Sequence, residues 1–422
     1  MDNFGHSDQL SIFYSPPSEG SIENDKWVQI RPLSQVTHGS AVDFNISGNS
    51  MLYVDLSRTR LQVKAKVVRP GQKPFQPDEF ATPINMFLQT MWSQVEVSIQ
   101  QRNVSSGVAS RYAYKALIDM ITKANASVQS SIAATQMFYR DTTGAMESVD
   151  PKSAPFNQGL ILRNNRFKDN KIVHMEGPLY VDIFQQNRLL LNGLQVAIRL
   201  FPNNDAFRLM SNIGDCSLEV VDMVLNVCYV KVHSDVMLAH NEALKSMTAK
   251  YFYDESLIKT YSISEGQYAH TVDNVFQGII PKNVRVALVS SNALNGNREK
   301  NPFNFQNYNL NFCAFYVDGQ SLPGEALEPN FKSKNYTDAY HSVFAENQSN
   351  GLTYKEYEDG YTIYTFELEQ KRDASVRSVK KRGHTKLEIR FSEKLPESVT
   401  LIVYAKFPQT LHVDESRKVI LE

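Results

Sequence analysis

Residues 53–68 read YVDLSRTRLQVKAKVV, and the second half of this stretch decides the fold class. Its apolar residues Leu61, Val63, Ala65 and Val67 alternate with the polar residues Arg60, Gln62, Lys64 and Lys66. Successive side chains of a β-strand point to opposite faces of its sheet. The alternation therefore predicts a strand with one buried and one solvated face.

The same period of two recurs along the whole chain. Apolar residues occupy every second position in seven further runs, which are Val42–Phe44–Ile46, Val95–Val97–Ile99, Leu194–Val196–Ile198–Leu200, Val284–Val286–Leu288, Leu310–Phe312–Ala314, Leu387–Ile389–Phe391 and Val399–Leu401–Val403–Ala405. Turn-forming residues such as Asn192-Gly193 and Asp318-Gly319 separate the runs. Many short strands with little helix predict an all-β sandwich or jelly roll.

Two segments have a helical pattern instead. Within residues 109–124, apolar side chains at positions i, i+3, i+4 and i+7 predict an amphipathic helix. Residues 235–248, near the midpoint of the chain, also look helical, with Asp235 as a possible N-cap. We therefore predict an N-terminal arm (1–24), a first jelly roll (25–234), a linker helix (235–250) and a second jelly roll (251–422).

The composition limits the class of protein. The chain has 422 residues, 42% of them hydrophobic, and 44 Lys and Arg against 45 Asp and Glu. Such a chain can bury a large core, and its neutral balance argues against nucleic-acid binding as the main task. Cys216, Cys228 and Cys313 lie in strand-like stretches and are expected to be buried thiols in a reducing compartment. Apolar runs are too short for a membrane span.

The sequence offers little that predicts catalysis. It contains no HExxH, G-x-S-x-G or phosphate-loop motif, and His240 and Glu242 diverge on a helix. The acidic group Glu356, Glu358 and Asp359 falls in a tyrosine-rich segment that we interpret as a solvated loop. We assign no catalytic, cofactor-binding or metal-binding residues and expect no cofactor.

One segment concentrates positive charge. Residues 371–384 contain Lys371, Arg372, Arg377, Lys380, Lys381 and Arg382. They form either a basic surface facing a packaged genome or an acidic partner, or an exposed connection between two strands, and we favour the exposed connection.

Several blocks, taken in their order, resemble one known family. The blocks are PINMFLQTMWSQVEVSIQQRNVS (83–105), RLLLNGLQVAIRLF (188–201), VDNVFQGIIPKNVRVALVSSNALNGNREKNPFNFQNYNLNFCAFYVDGQSLP (272–323) and LPESVTLIVYAKFPQTLHVDESRKV (395–419). They resemble the major capsid protein of Maverick/Polinton elements and adintoviruses, a double jelly-roll, hexon-like family. The resemblance covers nearly the whole chain.

The resemblance implies a structural protein and not an enzyme. The expected fold is all-β, two consecutive eight-stranded antiparallel jelly rolls with a few short helices. Three copies would form a pseudo-hexagonal homotrimer that tiles the icosahedral capsid of a virion. The implied partners are other copies of the chain, a penton-type minor capsid protein, and packaged double-stranded DNA contacted without sequence specificity. Long loops around 125–160 and 320–360 are candidates to cover roll edges and interlock subunits.

Two other classes of function stay open at this stage. A carbohydrate-binding β-sandwich predicts exposed aromatic side chains beside acidic ones, and Tyr354, Tyr357 and Tyr361 lie among the acidic residues of 356–359. A cupin-like enzyme needs histidines and a carboxylate converging inside one barrel. The spacing of His174, His233, His240 and His270 does not match such a set.

Phe303 and Phe305, in the NPFNF stretch, are candidate packed or inter-subunit residues. We expect Phe303→Asp or Phe305→Asp to disturb folding or trimer formation, because a charge would enter a packed apolar region. Soluble yield and mass in solution measure the effect. Soluble, fully trimeric variants would contradict this placement.

Overall fold

Two β-sandwiches follow one another along the chain. The structure is a computed structural model, and it describes residues 20–105, 111–369 and 379–422. Each sandwich consists of two antiparallel sheets that face each other across an apolar interior.

The first sandwich uses the first half of the chain. Its strands are β1 (Ile22–Ile30), β2 (Val42–Ile46), β3 (Tyr53–Val68), β4 (Trp92–Ile99), β5 (Arg102–Asn103), β6 (Val173–Pro178), β7 (Val196–Pro202) and β8 (Ser217–Val232). One sheet has the order β1-β8-β3-β6, and the other has the order β2-β7-β4-β5. Strands that lie far apart in sequence are therefore neighbours, as in a jelly roll.

The second sandwich repeats this topology. Its strands are β9 (Ala249–Ile263), β10 (Ala269–Asp273), β11 (Asn283–Ser290), β12 (Leu310–Val317), β13 (Gln320–Ser321), β14 (Ile363–Glu367), β15 (Thr385–Phe391) and β16 (Val399–Val413). The sheet orders are β9-β16-β11-β14 and β10-β15-β12-β13, so every strand has the same position as its counterpart eight strands earlier. The chain is a double jelly roll, and the predicted fold class is confirmed.

Shorter elements decorate the two rolls. The α-helices are α1 (Phe87–Thr90), α2 (Tyr112–Lys123), α3 (Ala126–Ser130), α4 (Gln158–Phe167), α5 (Asp205–Arg208), α6 (Ser234–Leu244), α7 (Ser291–Asn295), α8 (Thr337–Ser342) and α9 (Tyr354–Glu358). Single turns of 3-10 helix occur at Pro70–Gln72, Ile132–Gln136 and Asp182–Gln185. Two-residue or three-residue strand pairs join Ala81–Pro83 to Leu209–Ser211, Ile279–Ile280 to Lys381–Arg382 and Phe305–Gln306 to Asp359–Gly360, and Val419–Leu421 extends the β9 sheet along β16.

The alternating residues of β3 form part of the first core. Leu61, Val63, Ala65 and Val67 are at most 1% exposed, while Arg60 is exposed. The Asp318-Gly319 turn joins β12 to β13, and both residues have positive φ, 51° and 84°. A two-residue hairpin of this type needs positive φ at both central positions, which Asp and Gly tolerate.

Strand β12 departs from the predicted alternation. A bulge between Leu310 and Phe312 adds one residue to its ladder with β15, so the side chains change face beyond it. Cys313, Phe315 and Val317 therefore line the interior, and Phe312 is half-buried beneath the guanidinium of Arg390, 4.5 Å from the ring centroid. The prediction that Leu310, Phe312 and Ala314 share one buried face was wrong.

The ends of several elements also differ from the prediction. Strand β1 begins at Ile22, inside the range assigned to the N-terminal arm, and β9 begins at Ala249. The linker helix α6 runs over Ser234–Leu244 and is capped by His233, whose side chain accepts a hydrogen bond from the backbone of Asp235. Asp235 is thus inside the helix and not at its N-cap.

Helix α2 lies between the two rolls. It belongs to the connection from β5 to β6, yet Leu117, Ile118 and Ile121 join the core cluster of the second roll. All its residues except Lys123 are buried, so it is covered on every side and not only along one amphipathic face. The outer face of the β9 sheet covers it, which explains why β11 and β16 are buried on both faces.

A buried network of charges crosses this seam between the rolls. Asp119 of α2 accepts a hydrogen bond from the Tyr404 hydroxyl (2.9 Å) and pairs with Lys123 (2.7 Å) and Lys115 (3.2 Å). Lys115 also contacts Asp182 (2.9 Å), which accepts hydrogen bonds from Ser256 of β9. Burial alone raises the pKa of Asp119, but Lys123 and Lys115 hold it well below its ordinary value.

Glu346 extends the network within the second roll. It pairs with Arg285 and with Lys406 (2.7 Å), cations that are 1% and 5% exposed. Burial by itself raises the pKa of Glu346, but the charges of Arg285 and Lys406 lower it to about 2. Because each buried ion is costly without its partners, the network stabilises only the arrangement in which all members meet.

We expect acid to weaken this seam. The pKa of Glu346 lies below its ordinary value of 4.5, so its contribution is present above about pH 4.5 and is lost as the pH falls towards 2. Glu346→Gln should lower the free energy of unfolding at pH 7 by on the order of 2 kcal/mol and flatten its pH dependence in that window.

Urea titrations at pH 7 and at pH 3 measure this effect. Glu242→Gln is the matched control, because Glu242 is 74% exposed and pairs with Lys245 at the surface. An equal response of the two variants would show that the Glu346 pairs contribute nothing beyond a surface ion pair.

Candidate assembly surfaces

The long connections of the two rolls occupy equivalent positions and meet. One joins β5 to β6 and the other joins β13 to β14, which is the fifth-to-sixth connection of each roll. Their contacts include Ala126 N to Ser349 O (2.8 Å), Asn347 Nδ2 to Asn125 Oδ1 (3.0 Å) and Arg140 to Glu356 (2.9 Å). The loops predicted around 125–160 and 320–360 therefore pack against each other within one chain.

The first of these connections carries several exposed apolar side chains. Their exposed fractions range from 38% to 56%, and they are Val128, Ile132, Phe156, Leu162 and Ile172. Leu162 also lines a cavity of about 540 Å³, together with Ala126 and Ala134 of the same connection and Gly351 and Glu356 of the other. We call the five exposed residues Val128, Ile132, Phe156, Leu162 and Ile172 the insertion surface. Large apolar side chains that stay exposed along one connection make it a candidate for contact with another protein.

Strand β1 is an edge strand with little cover. It pairs with β8 on one side, and Ile22 and Trp27 are 41% and 44% exposed. The guanidinium carbons of Arg58 and Arg60 lie 5.2 and 5.9 Å from the Trp27 ring centroid, which is a cation–π arrangement. An exposed edge is a place where another chain can add contacts.

Phe303 and Phe305 lie in the interior of the chain. Phe303 is 1% exposed, and its ring meets Tyr114 of α2 edge-to-face at 5.6 Å and Phe207 at 6.1 Å. The Phe305 ring lies 6.3 Å from that of Tyr114. Both therefore pack against α2, and Phe303 also packs against α5, while a role in contacts between subunits stays a prediction.

The basic segment is described only in part. Lys371, Arg372 and Arg377 lie outside the described residues. Lys380 donates hydrogen bonds to Gln409 (2.8 Å) and to the backbone of Glu422 (2.5 Å). Lys381 and Arg382 are exposed and pair as a short strand with Ile279–Ile280. Neither interpretation of this segment, genome-facing surface or exposed connection, is decided by these contacts.

The tyrosine-rich acidic segment is more ordered and more buried than predicted. Residues Tyr354–Glu358 form α9, with a capping box between Thr353 and Glu356. Tyr357 and Tyr361 are at most 1% exposed, and burial raises the pKa of both hydroxyls. Their rings face the interior, so the three tyrosines do not form the exposed aromatic platform that the carbohydrate-binding alternative predicts. The interpretation as a solvated loop was wrong.

The described ranges contain neither a metal-binding cluster nor an exposed thiol. Within residues 20–105, 111–369 and 379–422, no group of three His, Cys, Asp or Glu side chains could hold a metal ion. The three cysteines are buried and free, and burial raises the pKa of each thiol. Across the same ranges, every helix is too short or too polar to cross a membrane.

Comparison by sequence gives one relative of similar length. A Caenorhabditis elegans protein named "Uncharacterized protein F54H12.2" is 22% identical over 433 residues, which cover 96% of this chain and 99% of that protein. No family model matches the chain.

Comparison by structure gives viral proteins. A chain of the Sputnik virophage structure matches with a TM-score of 0.66 at 12% identity, covering 99% of this chain and 92% of that one. The Faustovirus major capsid protein matches at 0.59 and 9%, covering 94% and 91%. A chain of the PBCV-1 virus capsid matches at 0.57 and 10%, covering 97% and 99%. At such low identity the similarity shows the fold, the double jelly roll of viral major capsid proteins.

Proposed function

We propose that this chain is a major capsid protein of a double-stranded DNA virus or a virus-like mobile element of the Maverick/Polinton and adintovirus kind. The observation that carries the proposal is the pair of rolls with identical strand order, held side by side in one chain. The similarity of nearly the whole chain to capsid proteins of the same fold supports it. The role is structural, without catalysis or a cofactor.

A homotrimer follows from the shape of such a subunit. Each chain has two similar lobes, so three chains around a three-fold axis present six lobes, an approximate hexagon that can tile an icosahedral shell. The linker helix α6 marks the division between the two domains in this proposal. A rigid seam suits this role, because a hexagonal tile keeps its outline only if the two lobes of each chain stay fixed.

The proposed partners are those of a shell. Copies of the chain contact one another, a penton-type minor capsid protein fills the five-fold positions, and the enclosed double-stranded DNA is contacted without sequence specificity. The formal net charge of −1 supports contacts made mainly between copies rather than with nucleic acid. The insertion surface is the apolar region that we assign to contacts between subunits.

We expect the purified chain to have three times its 47.9 kDa mass in native mass spectrometry and to form pseudo-hexagonal particles in electron micrographs. A monomer at micromolar concentration would contradict the proposed function.

Ile132→Asp tests the assigned surface. Ile132 is 56% exposed, so the variant should fold, but its carboxylate would be buried in the trimer and weaken the trimer at least about tenfold. Leu33→Asp is the matched control, because Leu33 is 68% exposed and lies beyond the end of β1, far from this connection in sequence. Analytical ultracentrifugation measures both. Equal weakening, or none, would place the contact elsewhere.

A further inference from the structure

An apolar groove lies beneath the linker helix. It has a volume of about 440 Å³ and separates α6 from the loop before β7 and from the start of β9. Its apolar wall is formed by Leu189, Leu191, Val232, Ala243, Leu244 and Met247. Arg188 and Lys250 add positive charge to the lining, and the Tyr53 hydroxyl hydrogen-bonds to His240 at 2.9 Å across it.

The helix over the groove packs against the first roll through two side chains, Leu244, which is buried, and Met237, which is partly buried. Leu244 is its one buried residue among Ser234–Leu244. Leu238 and, just after the helix, Met247 are each 63% exposed. The apolar stripe that α6 buries is therefore short, and the exposed Met247 at its end leaves room for a further apolar segment beside it.

The N-terminal arm leaves the described chain at the edge of this groove. Ile22, the first residue of β1, pairs with Val232, which is part of the groove wall. The backbone NH of His233 donates to the carbonyl of Ser21 at 2.9 Å. Residues 1–19 therefore continue from the rim of an apolar groove, not from a distant surface.

The arm contains a segment that matches the groove in chemistry. Residues 10–14 read LSIFY, and residues 1–19 carry Asp2, Asp8 and Glu19 but no Lys or Arg. The six residues from Ser15 to Gly20 span at most roughly 20 Å, which is enough for the chain to turn back at Pro16-Pro17. Apolar side chains would meet the apolar wall, and the acidic residues would lie near Arg188 and Lys250.

We propose that residues 10–14 of the chain's own N-terminal arm occupy this groove and fix the linker helix against the rolls. The segment covers Met247 and adds to the packing that Met237 and Leu244 give to α6. The docking is within one chain, so it does not depend on whether the chain forms a trimer or a shell.

Disulfide trapping in the full-length chain tests the proposal. With Phe13→Cys and Met247→Cys, mild oxidation should join the two cysteines within one chain at least about tenfold more than in the control pair Phe13→Cys and Leu33→Cys, because docking raises their effective concentration. Leu33 is as exposed as Met247 but follows the far end of β1. The native cysteines are buried and should not compete.

Two further readouts make the result decisive. Peptide mass spectrometry with non-reducing gels distinguishes a link within one chain from a link between two chains, and a predominantly interchain link would overturn the proposal. Ala243→Trp, which fills the groove, should reduce trapping by about tenfold, or about 1.4 kcal/mol. Trapping no greater than in the control pair, or unaffected by Ala243→Trp, would also overturn it.

Discussion

The burial of Asp119 between the two rolls is the constraint on which the rest of the structure depends. A carboxylate that is 2% exposed is stable only with its partners in place, and these come from both halves of the chain, Lys115 and Lys123 from α2 and Tyr404 from β16. Two rolls that met through apolar side chains alone could shift relative to each other at little cost. Buried charges allow few relative positions, because each charge must keep its partners. The network therefore favours the one arrangement of the two rolls in which these groups meet.

The insertion of α2 explains several features that one jelly roll would not have. A sheet with one solvated face alternates polar and apolar residues, but β11 and β16 are buried on both faces. On their outward face, the side chains of Arg285, Tyr404 and Lys406 make contacts in the seam network and are not solvated. One sheet of the second roll is thus covered on its outer face by a helix that the first roll contributes. The stability of the second roll depends on that helix.

The sequence predicts the parts of this structure that follow from local periodicity. The buried face of β3, the two rolls and the presence of α2 and α6 all follow from patterns of a few residues. The bulge at Leu310 in β12 was not predictable in this way, because one inserted residue reverses the faces without changing the composition.

Contacts between segments that are distant in sequence could not be predicted from local patterns either. Tyr357 and Tyr361 lie in a polar stretch, and contacts with residues distant in sequence bury them. The Tyr357 ring lies 6.0 Å from that of Tyr336, and the Tyr361 hydroxyl accepts a hydrogen bond from the backbone of Asp141. The members of the seam network come from separate stretches between Lys115 and Lys406, and no spacing rule connects them. A cluster of Lys and Asp on a helix that is otherwise apolar, as in YKALIDMITK, was the one available signal for a buried charge.

The balance of charge and apolar surface determines what kind of contact the chain would make in the proposed assembly. Copies with a formal net charge of −1 repel one another weakly, so long-range electrostatics neither drives nor prevents their approach. Attraction must then come from burying apolar area. This effect acts only at short range, and it is large only where the two surfaces match closely in shape. Matching shapes require a subunit whose lobes do not move against each other. The two features act together. The buried charges at the seam keep the surface rigid, and the exposed apolar residues of the insertion surface make burial of that surface favourable.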